Sequence, residues 1–299
     1  MTSAGFVVLA NAAAGSVDDR SLAAAVAELA HHGPTVVRRT EGPDDVDEAL
    51  GALDGRRPVV VGGDGSLHLA VNRLLALGLG DEVALGLVPL GTGNDLARGV
   101  GLPLEPVEAA RLVATGEPRA LAVAEVGGWD EVVVNNAHLG VGAEAAARAT
   151  GLKPRLGPLA YPAGALVAGI RPEPVEVAVD VDGSRWFGGE ALALVLALGP
   201  SAGGGHELAP RAEPTEDAME VVVITPGGAA KRLGLALDVL RGRDPARRDE
   251  VERASGTRVR VAVADGEARW DVDGELVEWE SEVEVAVRPA AWRLVTPSR

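Results

Sequence analysis

The sequence predicts an α/β domain built on a mostly parallel sheet, followed by a β-rich, sandwich-like domain. Two features carry that expectation. In the first part of the chain, short apolar runs alternate with helix-like segments, the rhythm of strands joined by crossover helices and covered on both faces. In the rest, apolar and polar residues alternate with period two between turn signals, and helices become rare. The expected domains are residues 1–120 and residues 121–288, with 289–299 as a segment that can return to the first. No low-complexity linker separates them, so a shared interface with a cleft is expected.

Taken in order, "GFVVLAN" (5–11) is a short buried strand. "SVDDRSLAAAVAELAHHG" (16–33) is a helix, with Ser16 as N-cap, acids in its first turn and Gly33 at its end. "TVVRRT" (35–40) is the second strand, and "PDDVDEALGAL" (43–53) a helix opened by Pro43 and acids. "PVVV" (58–61) is the third strand, followed by a helix starting near Ser66. "EVALGLVPL" (82–90) is the fourth, and "EPVEAARLVATG" (105–116) supplies another helix. The second domain reads as strands at "ALAVAEV", "DEVVVNNAHLG", "PVEVAVDVDG", "EALALVLAL", "MEVVVITPG", "RVRVAVAD", "ARWDVDG" and "EVEVAVRP". Only "GPLAYPAGALVAGI" (157–170) and "AAKRLGLALDVLRG" (229–242) look helical there.

With 299 residues, 47% of them hydrophobic and 24% charged, the chain can bury two cores and is not a disordered polymer. It has no apolar run of membrane-spanning length, and its first residues lack the basic start of a signal peptide. Zero cysteines exclude a disulfide framework and a thiolate metal site, and a cytoplasmic setting is expected. A net charge of −16 argues against nucleic acid as a partner and against general adsorption to anionic membranes. The five histidines form no pair at helical metal-ligand spacing.

Open parallel sheets bind ligands beyond the carboxyl ends of their strands. Three polar, glycine-bearing segments fall at such ends: "NAAAGS" (11–16), "GGDGS" (62–66) and "PLGTGNDLARGVGLP" (89–103). Each leads toward a helix, whose free N–H groups and positive end suit a phosphate. Gly62, Gly63 and Gly65 remove side chains, so the backbone can turn sharply and approach a ligand. Asp64 between them would repel a phosphate unless a divalent cation sits between the two. Gly91, Thr92, Gly93, Asn94 and Asp95 repeat the pattern, although Thr92, Asn94 and Asp95 could equally cap a helix. "DVDGEL" (271–276) read alone is a β-hairpin turn.

GGDGS with the following "LHLAVNRLL", then "PLGTGNDLARGVGLP", resembles the diacylglycerol kinase catalytic-domain family, which includes bacterial lipid kinases, ceramide kinases and sphingosine kinases. NAD kinases share GGDG but not the family's GTxNDFAR element. "NNAHLGVGAEA" (135–145), "GGGHELAPRAEPTEDAMEV" (203–221) and "WDVDGEL" (270–276) look like the family's later blocks in the right order, so the resemblance spans most of the chain. It implies phosphoryl transfer from ATP to a hydroxyl of diacylglycerol or a similar lipid alcohol, at the membrane surface and only in transient contact with it. Carried over by motif, Asn11, Thr40, Gly62, Gly63, Gly65, Ser66, Gly91, Thr92 and Asn94 would bind the nucleotide. Asp64 and Asp95 would join the Mg²⁺ network, Glu275 would be the general base beside a catalytic Asp64, and Asp217 would bind a structural metal.

The departures bear on strength. Where the family usually carries an Asp in the strand after the second helix-rich block, this chain reads Leu121-Ala122-Val123-Ala124. Glu125 is an odd number of residues away and would face the other side of the strand. A nucleotide- or lipid-binding relative with weak catalysis therefore stays open beside the kinase, as does an NAD-kinase-like enzyme with a soluble substrate. The acceptor lipid and the oligomeric state, a homodimer included, are also open.

Overall fold

The computed structural model describes residues 4–11, 19–140, 174–202, 205–228, 231, 234–235, 238, 248–264 and 268–298. It divides into two compact units, Met1–Val123 with Pro289–Arg299, and Ala124–Arg288. The first is an α/β unit with a parallel sheet and the second is β-rich.

In the first unit the chain runs β1 (Phe6–Asn11), α1 (Asp19–His32), β2 (Thr35–Thr40), α2 (Pro43–Gly51), β3 (Arg57–Gly62), α3 (Asp64–Ala76), β4 (Ala84–Pro89), α4 (Asp95–Gly99), α5 (Pro106–Thr115) and into β5 (Glu117–Val126). The sheet order is β2-β1-β3-β4, every pair parallel. Alternation along β1 sorts its side chains: Phe6, Val8 and Ala10 join one core with Val59, Val61 and Val88. Leu22, Ala25 and Leu29 of α1 and Ala109, Ala110 and Val113 of α5 cover that face. Their three-to-four-residue spacing is what an amphipathic helix must present to a sheet. Helices α2 and α3 pack against each other, and α3 against β3.

The second unit holds β6 (Val132–Val133), β7 (Asn136–Gly140), β8 (Val175–Val181), β9 (Ser184–Ala191), β10 (Ala193–Ala197), β11 (Ser201–Ala202), β12 (His206–Glu207), β13 (Met219–Ile224), β14 (Val251–Gly256), β15 (Arg258–Val263), β16 (Ala268–Val272), β17 (Glu275–Trp279) and β18 (Glu282–Thr296). Six of them form an antiparallel sheet in the order β14-β13-β10-β7-β16-β17. In the other sheet of this unit, β15 lies between β8 and residues 282–286 of β18. From Pro289 onward β18 belongs to the first unit, where Arg293 and Leu294 pair in parallel with Ala84 and Leu85 of β4.

Several sequence boundaries shift. Helix α1 is described from Asp19, and Ser16 lies outside the described residues, as does the expected helix 157–170. Of the expected helix 229–242, Lys231, Gly234, Leu235 and Asp238 are described, and all four are helical. The strand expected at 130–140 is two strands, β6 and β7, and the expected 190–198 strand breaks between β9 and β10. Strands β14 and β17 were not read at all and β9 only at Glu190 and Ala191; each is an edge of its sheet.

Packing between β4 and α5 fixes where the chain leaves β4. A Cβ placed on Gly86 would lie 2.4 Å from Val113 Cγ1. Gly86→Ala is expected to destabilise the protein by about 1–3 kcal/mol, the usual cost of overpacking a filled core; chemical denaturation of the two proteins measures it.

Candidate functional site

The parallel sheet reverses direction between β1 and β3: the chain leaves β1 toward β2 on one side, then crosses to β3 on the other. Such a switch point leaves a crevice at the carboxyl ends of the two strands. Asn11 ends β1 and Gly62 ends β3, flanking that crevice. Thr40 ends β2, is buried, and lies in register with Asn11. The Asn11 side-chain amide donates across the switch point to the Ser66 hydroxyl at 3.5 Å.

Two glycine corners meet here. Gly62 is in register with Pro89, and the Leu90 N–H donates to the Gly62 carbonyl at 2.9 Å, so the loops after β3 and β4 start side by side. A Cβ on Gly63 would lie 2.9 Å from the Gly91 Cα, and one on Gly91 would lie 2.4 Å from the Gly63 Cα. Backbone faces backbone, with no flexible side chain to move aside. A Cβ on Gly62 would strike the Ser66 Oγ at 2.5 Å. Glycine at these three positions is required by contact, not by turn angle.

Helix α3 starts at Asp64 with Gly63 as N-cap and no side-chain cap, so its first-turn N–H groups and positive end face the corner. Gly65 and Ser66 lie in that first turn. The second corner is held from within. Asn94 adopts a left-handed conformation (φ 52°), its Oδ1 accepts from the Gly91 N–H at 2.9 Å, and its Nδ2 donates to the Gly91 carbonyl at 2.8 Å. Asp64 Oδ1 accepts from the Leu96 N–H at 3.4 Å and ties the two corners together. Asp95, next to Leu96, is buried, whereas Thr92 is exposed at the tip. Asn94 is thus a shaping residue of the loop as well as a sequence-predicted ligand contact.

Residue 122 lies in the core of the first unit at 1% exposure, and its carbonyl accepts from the Trp292 indole N–H at 3.3 Å. In the second unit, Glu125 is exposed and ion-paired with Arg288 at 2.9 Å.

Within the second unit, Glu275 is exposed at the first position of β17, just after the two-residue turn Asp273-Gly274. Both turn residues have positive φ, 50° and 94°, as the tight hairpin turns require. Asp273 is a residue that reading the sequence missed. Its carboxylate accepts the N–H groups of Val134 at 2.7 Å, Asn135 at 2.9 Å and Asn136 at 2.9 Å. These bonds explain why one expected strand became two: at 134–136 the N–H groups turn to a carboxylate. Asn135 and Asn136 both donate from Nδ2 to the Ser201 carbonyl, at 3.0 and 2.9 Å. His138, on β7, is wholly buried against Asn136 Oδ1; burial pushes its imidazole down to about 4, with the Asp273 charge opposing. Asp217 is exposed on the loop before β13. Among the described residues no three His, Cys, Asp or Glu side chains gather closely enough to hold a metal ion unaided. Asp64 and Asp95 open the helices after the two adjoining corners, and Mg²⁺ is commonly held by one or two carboxylates plus substrate phosphates.

Two family models match the chain: the diacylglycerol kinase catalytic domain over residues 5–126, and the YegS C-terminal NAD kinase beta sandwich-like domain over residues 135–296. A probable lipid kinase YegS-like of Chromohalobacter salexigens is 35% identical over 204 residues, which cover 67% of this chain and 64% of that protein. The diacylglycerol kinase of Bacillus subtilis is 30% identical over 219 residues, 73% of this chain and 70% of that one. The crystal structure of a putative diacylglycerol kinase from Bacillus anthracis superposes with a TM-score of 0.82 at 19% identity, covering 99% of both chains, and shows the shared fold.

Two outcomes follow from this geometry. Gly91→Ala is expected to destabilise by about 3 kcal/mol and Gly63→Ala by about 1 kcal/mol, because the closer backbone approach leaves less room to yield; thermal unfolding of both variants tests the order. His138 is held neutral when folded, so the unfolded chain binds the extra proton as pH falls from about 6.5 toward 4. Stability should fall through that window by about 3 kcal/mol on its account, being fully present above it. A His138→Asn variant is expected to show a flatter pH dependence of its denaturation midpoint.

Proposed function

The chain belongs to the diacylglycerol kinase catalytic-domain family, in its YegS-like form, and on that premise we propose that it transfers the γ-phosphoryl group of ATP to the hydroxyl of diacylglycerol or a similar lipid alcohol at a membrane surface. The observation that carries the reading is the backbone contact of Gly63 with Gly91 at the switch point, beside the uncapped start of α3. Bare backbone there lets phosphate oxygens come within reach of N–H groups that have no other acceptor in their helix. Asn11, Thr40, Ser66 and Thr92 are the polar contacts we assign to the rest of the nucleotide. Asp64 and Asp95 are the residues that would hold Mg²⁺, which when bound neutralises charge on the phosphates. In the transfer, the lipid oxygen bonds to the γ-phosphorus, the bond to the bridging oxygen breaks, and ADP leaves. The hydroxyl proton goes to the Glu275 carboxylate, assigned by its place in the Asp273-Gly274-Glu275 motif.

A second reading, a nucleotide-binding relative with slow transfer, is favoured by residue 122: an alanine packed in the core brings no carboxylate to the phosphates. Purified protein given labelled ATP, Mg²⁺ and a total lipid extract distinguishes the two. Label is expected in the organic phase, reduced by roughly 100-fold or more in Glu275→Gln and also lost in Asp64→Asn. Nucleotide binding with no labelled lipid would favour the second reading, and labelled dinucleotide from added NAD would overturn both.

A further inference from the structure

The geometry points to Asp273 as a positioning residue that sets the direction of Glu275, an inference that rests on the reading of Glu275 as the proton acceptor. The Glu275 side chain is exposed and makes no hydrogen bond or ion pair with a described residue, so it does not itself fix where it points. Its backbone must do so, and that backbone begins at a turn held by Asp273. Asp273 receives three N–H groups through its carboxylate and returns its own N–H to the Asn136 carbonyl at 3.0 Å. The Gly274 N–H donates to Asp271 Oδ1 at 2.9 Å, closing the turn from the other side. Beyond the clasp, the Asn135 carbonyl accepts from the Leu198 and Gly199 N–H groups at 2.8 and 3.1 Å, so the turn is anchored to β10's end as well.

The same unit carries a matched copy of the device. Asp182 and Gly183 form the turn between β8 and β9 with φ of 47° and 80°. The Asp182 carboxylate accepts from the Thr257 N–H at 3.0 Å, the Thr257 hydroxyl at 3.0 Å and the Arg258 N–H at 2.9 Å, and the Asp182 N–H donates to the Arg258 carbonyl at 2.9 Å. One Asp-Gly clasp therefore precedes Glu275 and the other precedes Ser184, which makes Asp182 an internal control for what the clasp does to stability alone.

Asp273→Asn and Asp182→Asn each put an amide NH₂ against backbone N–H groups while keeping side-chain size. Both are expected to lower the melting temperature, Asp182→Asn by less because its bonds are exposed. With labelled ATP, Mg²⁺ and lipid extract, Asp273→Asn should lose at least tenfold in kcat with the KM for ATP within twofold, and Asp182→Asn should stay within twofold in both. Wild-type turnover in Asp273→Asn, or an equal loss in Asp182→Asn, overturns the assignment. Nitrogen-15 relaxation of the full chain tests it without turnover: the amides of Gly274 and Glu275 should become mobile on the nanosecond scale in Asp273→Asn and stay rigid in Asp182→Asn. Should the wild type phosphorylate no lipid, the functional reading fails, and relaxation alone decides whether Asp273 holds residue 275; unchanged order there refutes it.

Discussion

The first unit depends on one close approach, the backbone of Gly63 against the backbone of Gly91. Parallel pairing of β3 with β4 brings two loops out of the sheet side by side, and only residues without side chains can then touch. Everything local follows from that contact. Asn94 takes a left-handed conformation to fold the second loop back on Gly91, which asparagine tolerates better than most residues. Asp64 reaches across to the Leu96 N–H, so the start of α3 is bonded to the short helix after the second loop. The helix end beside them is left without a side-chain cap, and that is what makes the corner receptive to an anion rather than merely compact.

In the second unit the analogous task falls to side chains. Asp182 and Asp273 each occupy a positive-φ turn position and gather N–H groups from a distant segment. A sheet ladder would have satisfied those N–H groups had it continued, and a buried amide without an acceptor is costly. The carboxylate substitutes for the missing strand, ending β6, starting β7 and fixing the hairpin tip in one stroke. His138 marks the price of this arrangement: an imidazole shut in with the Asn136 amide and kept neutral by burial despite a nearby carboxylate.

Much of this was legible in the amino-acid sequence. The alternation of β1 to β4 with their helices follows hydrophobic periodicity, and the two glycine clusters fall at strand ends where an open parallel sheet places ligands. Strands β14, β17 and most of β9 were not legible, because an edge strand has one open side and can carry Arg185, Gly188, Gly189 or Glu252 without burying them in a ladder on both sides. The role of Asp273 was hidden for another reason. Its partners are 137 to 139 residues away in the chain, and a turn aspartate gives no local sign of what its carboxylate reaches. Nor does spacing distinguish an Asn94 that shapes its own loop from one that contacts a ligand; only the pair of bonds to Gly91 does so.

The two carboxylates of the Asp-Gly-Glu motif are then separated by what their oxygens already do. Asp273 has three N–H groups on it, so its lone pairs are committed to the fold. Those bonds define the hairpin, and hydrogen bonds to a carboxylate are among the stronger ones in a protein. Glu275, two residues on, is exposed, its side chain meets no partner among the described residues, and its backbone starts at the turn that Asp273 holds. The proton acceptor we propose needs both properties: uncommitted oxygens and a fixed place from which to offer them. No single residue in this turn could supply both, and the motif divides them between two.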